Sequence, residues 1–530
     1  KGDLDRLARS AARLAQRSMI LSLIDQDGVP TLATRRIGPP LAFERLWRAT
    51  GCRAVIEDLA AERSFGFSLE RACFLTVLHR LMVAGSDRAA DTWREDYRIE
   101  GTAELALHHL YRTMGWLGEE LPGSEQMGRT PFSPRCTKDL VEERLFEARK
   151  DLFSELSVVF MDTTSLDFEG AGGATLGQRG HSKDHRPDLM QMIVAVVMDQ
   201  RGRPLCCEMW PGNTTDVTAL IPVVDRLGQR FGISRVCVVA DRGMISAATI
   251  TALEARGLEY ILGVRERSTK EVRTLVLDDD GPFVPLVIPR QGRPDTELEA
   301  KAVTLGGRRS SLPSGRRSRT RWVVCRNLAE AEKDAAERVA IVANLRRALR
   351  RGDKALVGNA GYRRFLKAPA AGFAIDEKRV AEDARFDGIF VLRTNTTLDP
   401  LQAMLRYREL QGVEQLFRSA KSLLATRPIF HQCDATIRGH VFCSFLALVL
   451  RKELQDRLAA AGLAPEWDDV RRDLDRLQEV EADQDGKRFI LRTPTTGCAG
   501  KLFQTLGVAL PPNIRAAAPQ AATLADTSQM

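Results

Sequence analysis

The sequence predicts an α/β protein built on a mixed sheet with flanking helices and preceded by a helical region. Three observations carry this. Apolar residues recur at three- and four-residue steps through the first 150 residues, the spacing of amphipathic helices. From Leu156 the pattern changes to short β-rich runs, three in succession. Helix-like and strand-like stretches then alternate, the order that places helices on the faces of a partly parallel sheet.

The first region, 1–150, reads as helices over Leu41–Ala61 and Ser68–Val83, with Gly85-Ser86 as a stop and restart. Arg45, Arg48, Arg71, Arg80, Arg88 and Arg94 punctuate these helices. Such a module suits either DNA binding or packing and dimerisation.

In the second region, 151–266, LSVVFMDTTS is a short strand that ends in Asp162, Thr163 and Thr164. DLMQMIVAVVMD is the next, and Gly202 marks the turn before PLCCEMWPGNT. Asp216–Gly232 is an amphipathic helix with Val217, Leu220, Ile221, Val224 and Leu227 on its apolar face. RVCVVADRG is a short buried strand ending at Asp241 and Gly243, ISAATITALEARG another helix and EYILGVR another strand. Three strands, helix, strand, helix, strand is the order of a ribonuclease-H-like core.

Between 267 and 395 the pattern loosens into short β-like pieces (EVRTLVL, PFVPLVI, ELEAKAVTL, RWVVCR), a charged helix over Leu328–Arg351, and FAIDEK and DGIFVLRT. This reads as a β-rich subdomain inserted into the core. It holds Arg308, Arg309, Arg316, Arg317, Arg319 and Arg321 with no acid among them, and then Arg346, Arg347, Arg350, Arg351 and Lys354. Such density suits a phosphate backbone. Trp322, beside the first cluster, would supply a stacking surface for a base.

The core resumes over 396–460. Tyr407, Glu414 and Lys421 recur every seven residues in YRELQGVEQLFRSAK, one stripe along a helix. A carboxylate flanked by a phenol and an ammonium suits a surface that handles a metal and a phosphate. Val441–Leu450 is apolar nearly all round, a buried helix expected to pack the Glu414 helix onto the sheet. His440 reads as a core or cap residue. Residues 461–515 read as a helical region suited to dimerisation, and the Ala/Pro/Gln/Thr-rich 516–530 as a disordered tail.

Composition narrows the classes. The chain has 530 residues, enough for several domains, with 44% apolar and 28% charged residues. A net charge of +8 leans toward a polyanionic partner where it is concentrated. Ten cysteines without a CxxC pair suit reduced thiols in a cytoplasm and argue against a disulfide framework or a zinc site. His181 and His185 are the histidine pair with ligand-like spacing, but no cysteine lies near them. No apolar run reaches membrane-spanning length and no secretory signal is visible. The first residue is Lys1, consistent with a native start that lies upstream.

Asp162 and Asp241 end neighbouring strands in this reading. Two such carboxylates would repel one another, and a divalent cation turns the pair into a ligand set. Glu414 would complete an all-oxygen site suited to Mg²⁺ or Mn²⁺. Two such ions support in-line phosphoryl transfer without a protein nucleophile. Arg242, directly after Asp241, is a candidate DNA contact.

FMDTTS, VVADRG and Y-x6-E-x6-K, in this order, resemble the catalytic blocks of bacterial insertion-sequence DDE transposases, and more narrowly the group named for a Tyr-Arg-Glu-Lys signature. GHSKDHRPDL, PGNTTD and FDGIFVLRTN fit the same group. The resemblance implies a ribonuclease-H-like domain interrupted before the glutamate helix, with Asp162, Asp241 and Glu414 as the metal triad. It implies that Tyr407 and Lys421 contact terminal DNA phosphates and that Trp322 is a candidate for holding a flipped base. The signature arginine falls at Leu410; Arg408 and Arg418 are the candidate substitutes, and Arg418, one turn from Glu414, is the better placed.

The expected function is a cytoplasmic, nucleoid-associated, Mg²⁺-dependent transposase. It would cut double-stranded DNA at inverted-repeat ends and join the 3′-hydroxyl to target DNA, as a homodimer on DNA. The group also implies a hairpin intermediate. A metal-dependent nuclease and an inactive DNA-binding remnant are the competing readings.

Overall fold

The computed structural model describes residues 31–516 except 84, 128, 131–132, 154–157, 181–185, 234–236, 241–245, 265, 268, 289–295, 305–309, 312–316, 319, 351–363, 368–372, 410–428 and 485–486. They divide into two compact units, one drawn from within Lys1–Glu120, Cys136–Arg149 and Ala420–Met530, the other from within Leu121–Arg135 and Lys150–Ser419. No helix among the described residues is long and apolar enough to cross a membrane.

The second unit is organised by one sheet of nine strands: β1 (Val158–Asp167), β2 (Gln191–Asp199), β3 (Pro204–Pro211), β4 (Cys237–Ala240), β5 (Glu259–Gly263), β6 (Val284–Ile288), β7 (Thr296–Thr304), β8 (Arg321–Arg326) and β9 (Ile389–Thr394). Their order across the sheet is β3-β2-β1-β4-β5-β9-β8-β7-β6. The first three strands are antiparallel, with Asp162 opposite Val196. β1, β4 and β5 are parallel. Parallel neighbours need crossovers. The helices Asp216–Phe231 and Ala247–Ala255 supply them, in the predicted order of elements.

β2 and β4 are buried along their whole length, as strands covered on both faces must be, which explains their unbroken apolar runs. The Asp216–Phe231 helix is pinned to β3 by a buried ion pair, Arg226 to Glu208 at 2.9 Å, with Arg230 at 3.4 Å from the same carboxylate.

From its sequence, 267–395 is expected to be an inserted subdomain. The described strands of that stretch instead continue the central sheet. β9 adds antiparallel to β5, with Thr394 opposite Ile261, and β8, β7 and β6 follow outward. Short apolar strands need partners for their backbone groups, and the open edge of β5 offers them.

The first unit is mainly helical: Gly38–Ala49, Cys52–Ala60, Leu69–Met82, Asp87–Trp93, Leu107–Leu117, Thr137–Ala148, Asp434–Ala460, Trp467–Asp475 and Ala499–Leu506. Ser68 and Ser86 cap two of these helices, their hydroxyls accepting from Arg71 N and Ala89 N, as a serine at a helix start does. The punctuating arginines are largely spent inside the unit. Arg71 pairs with Glu44 and Glu70, Arg80 with Asp87, and Arg45 donates to the Leu506 carbonyl.

The Asp434–Ala460 helix is buried, as its apolar circumference requires, but it packs on Leu107–Leu117 and Leu69–Met82 within this unit. Gly118 and Gly439 permit that crossing. A β-carbon on Gly439 would lie 1.9 Å from the Met114 carbonyl oxygen, and one on Gly118 the same distance from that of Ala435.

Two helical expectations need correction. Thr31–Arg36 and Gln478–Gln484, Lys487–Arg492 and Ile514–Ala516 form a four-stranded antiparallel sheet joining the two ends of the described chain. QEVEADQ is rich in helix-forming residues, and pairing with a strand distant in sequence overrides that propensity.

Candidate active site

The site is built on the parallel pairing of β1 with β4. Val158, Val159, Phe160 and Met161 are in register with Cys237, Val238, Val239 and Ala240. In each strand the next residue of the sequence is an aspartate, Asp162 after Met161 and Asp241 after Ala240. Asp162, expected at the end of its strand, instead lies within β1, whose antiparallel pairing with β2 carries on to Asp167; its side chain is outside the described set. Asp241, Arg242, Glu414, Arg418 and Lys421 lie outside the described residues, as do His181 and His185.

The described side chains around this pairing are buried. Phe160 and Met161 are buried, and so are Thr163, Thr164 and Ser165 beyond Asp162. Burial pushes the Cys237 thiol, at the start of β4, up to about 12, which keeps it protonated and unsuited to attack.

The far side of β5 is clamped by the end of the FDGIFVLRTN block. The Asn395 side chain accepts from the Tyr260 amide at 2.8 Å and donates to the Leu258 carbonyl at 2.9 Å. The Thr394 hydroxyl donates to the Tyr260 carbonyl at 2.7 Å. These bonds fix where β5 starts and so hold the parallel register through β4. Asn395 has no spacing signal of its own; only the block around it stood out. The PGNTTD block leads from β3 into the Asp216–Phe231 helix, with Gly212 held by Leu176 and by the Gln191 amide.

Residues 400–409 are helical, capped by the Asp399 carboxylate, which accepts from Gln402 N at 2.8 Å. Tyr407, expected at DNA phosphates, is 8% exposed and packs on Phe390 with ring centroids 5.1 Å apart. A β-carbon on Gly263 would lie 2.2 Å from its phenolic oxygen. Tyr407 therefore docks this helix on the end of β5, which leaves little of its hydroxyl for a DNA end. On the same helix, burial raises the pKa of Glu409, opposed by Arg406.

The expected basic surface is only partly described. Arg308, Arg309, Arg316 and Arg319 lie outside the described residues, and Arg317 is in a two-residue strand with its side chain outside them. Arg321 donates to the carbonyls of Leu398 at 3.0 Å and Thr396 at 3.3 Å, an internal task. Trp322 is 3% exposed. It packs with Val264, Val303, Val324, Phe386 and Val391, and the Arg393 guanidinium lies 5.3 Å from its ring centroid. In this arrangement the indole is core, not an open platform for a base. Successive residues of a strand face opposite ways, so adjacency to Arg321 did not put Trp322 on the same surface.

The family described as "Transposase DDE domain" matches residues 153–450. Among solved structures, the chain is similar to a piggyBac transposase synaptic complex with hairpin DNA, at 11% identity and TM-score 0.37 over 83% of this chain and 79% of that one. It is also similar to a Mos1 transposase paired-end complex, at 17% identity and TM-score 0.15 over 37% and 60%. A pre-cleavage Mos1 transpososome gives 17% identity and TM-score 0.14 over 37% and 61%. A comparison with curated proteins finds no match.

Proposed function

Because the chain belongs to the transposase DDE domain family, we propose that it is a DNA transposase that cuts at the inverted-repeat ends of an insertion sequence and joins the freed 3′-hydroxyl to target DNA. The observation that carries the reading is the register of Met161 with Ala240, each followed in sequence by an aspartate.

Asp162, Asp241 and Glu414 form a donor set of carboxylate oxygens without imidazole or thiolate, which fits Mg²⁺ or Mn²⁺, two ions in this reading. Bound there, such ions supply activation of the attacking hydroxyl and charge neutralisation at the leaving oxygen. The chain's own residues position the reaction. Asn395 and Thr394 fix β5, and Tyr407 docks the 400–409 helix, which precedes Glu414 in sequence. Lys421, Arg418 and Arg242 contact terminal phosphates, with Arg418 standing in for the signature arginine where this chain has Leu410. Arg308, Arg309, Arg316, Arg317 and Arg319 follow the DNA backbone.

Within the family, the spacing of Tyr407, Glu414 and Lys421 supports the bacterial Tyr-Arg-Glu-Lys group. Pairing two element ends calls for a homodimer on DNA. The test is cleavage and joining of a labelled element-end duplex, with Mg²⁺ and with EDTA, beside Glu414→Gln. Metal-dependent cutting with joined product, both lost in the variant, is expected. Cutting without joining would make the protein a nuclease. Tight binding without cutting in any divalent metal would make it an inactive remnant.

A further inference from the structure

The helical unit holds a cluster that the proposed DNA chemistry does not use. Asp87 opens the Asp87–Trp93 helix, His440 sits in the second turn of Asp434–Ala460, and His431 lies just ahead of that helix. Asp87 Oδ2 is 3.2 Å from His440 Nδ1 and 3.3 Å from His431 Nε2, and the two imidazole nitrogens are 3.2 Å apart. Asp87 and His440 are buried, while the His431 side chain is 17% exposed and leaves one side of the triangle near solvent.

Protons do not satisfy this triangle. Arg80 Nη2, which can only donate, lies 2.9 Å from the same His440 Nδ1. If Nδ1 carries a proton, two donors face each other. If it does not, its lone pair faces a carboxylate oxygen at 3.2 Å. His431 Nε2 has at most one proton to give and two neighbours that could take it.

A cation at the centre accepts all three lone pairs. A tetrahedral ion with bonds of about 2.0–2.1 Å to nitrogen and oxygen sets its ligand atoms about 3.3 Å apart, the edge observed here. We propose that Asp87, His431 and His440 form a transition-metal site of the Zn²⁺ class, with water as the fourth ligand on the His431 side. Two imidazoles disfavour Mg²⁺. Arg80 would give up its contact with Nδ1 and keep three others: the second Asp87 oxygen at 3.2 Å, the His440 carbonyl and the Ser444 hydroxyl. It would then orient the carboxylate from behind. The ion ties the segment ahead of the long helix to the Asp87–Trp93 helix, a structural role independent of the three proposed catalytic carboxylates.

The test uses the full chain stripped of metal and titrated with Co²⁺, whose visible band reports a tetrahedral site. One equivalent should bind with that band in wild type and in Glu414→Gln, and the band should be lost in His431→Gln. Zn²⁺ should raise the thermal midpoint of wild type but not of His431→Gln. Absence of the band in stripped wild type would overturn the proposal whatever the variants do. So would an unchanged band in His431→Gln.

Discussion

The phenol of Tyr407 lies so close over Gly263 that a β-carbon on the glycine would come within 2.2 Å of its oxygen. Gly263→Ala should therefore push the ring off the end of β5 and destabilise the protein by about 1–3 kcal/mol, the usual range for overpacking. Tyr407→Phe in the same chain should recover part of that loss. Thermal unfolding of wild type, both single variants and the double checks it. Strictly additive effects would mean that the two residues do not press on each other.

Asp162→Asn and Asp241→Asn should each reduce cleavage of an element-end duplex by about a thousandfold or more, because each removes a charge needed to hold the ions. Affinity for the same duplex should stay within about threefold, since phosphate contacts set most of it. Undiminished cutting by either variant would remove that aspartate from the site.

Asn395→Ala should leave the Tyr260 amide and the Leu258 carbonyl without their partner. Two such losses cost about 2 kcal/mol or more, and cleavage should fall with the register of β4 and β5. Asn395→Asp keeps the acceptor for Tyr260 and should land between wild type and alanine. Urea midpoints and turnover on the three proteins decide it; equal behaviour of Asp and Ala would argue against the clamp.

Arg308→Gln, Arg309→Gln and Arg316→Gln together should weaken DNA binding and flatten its salt dependence, the slope falling by about one for each phosphate contact removed. Arg321→Gln should behave differently. Its partners are backbone carbonyls, so it should lower stability and leave the slope alone. An unchanged slope in the triple variant would take the DNA role from this stretch.

His79 supplies a pH test. Burial, and then Arg80 beside it, hold its pKa down at about 4, against about 6.5 in an unfolded chain. Between those values the unfolded chain takes up a proton that the folded protein refuses. Stability is therefore full above the unfolded value and falls, by up to about 1.4 kcal/mol per pH unit, as pH drops toward the folded one. His79→Gln should lose less stability than wild type between about pH 7 and about pH 5. Identical losses in urea titrations would show that this imidazole is not responsible.

Much of the central sheet was legible because its signals are local. Unbroken apolar runs announced β2 and β4, and a three-to-four-residue period announced the Asp216–Phe231 helix. The strand that carries Asp162 followed from the same pattern, but its end did not: pairing continues past Asp162 to Asp167. Pairing over long sequence distances was not legible. Nothing in DGIFVLRT says that it will lie against EYILG, and nothing in QEVEADQ says that it will pair with TLATRR. Side-chain direction was lost too. Trp322 and Tyr407 are both placed inward by packing partners that only the fold supplies.

The pairing of Ile261 with Thr394 also bears on how the protein is made. A ribosome adds about 5–20 residues per second, so β5 emerges on the order of ten seconds before the strand that will cover it. For that interval β5 presents an uncapped apolar edge, the kind on which nascent chains pair wrongly with one another. Synthesis of this protein should therefore depend on a chaperone that shields the half-finished sheet.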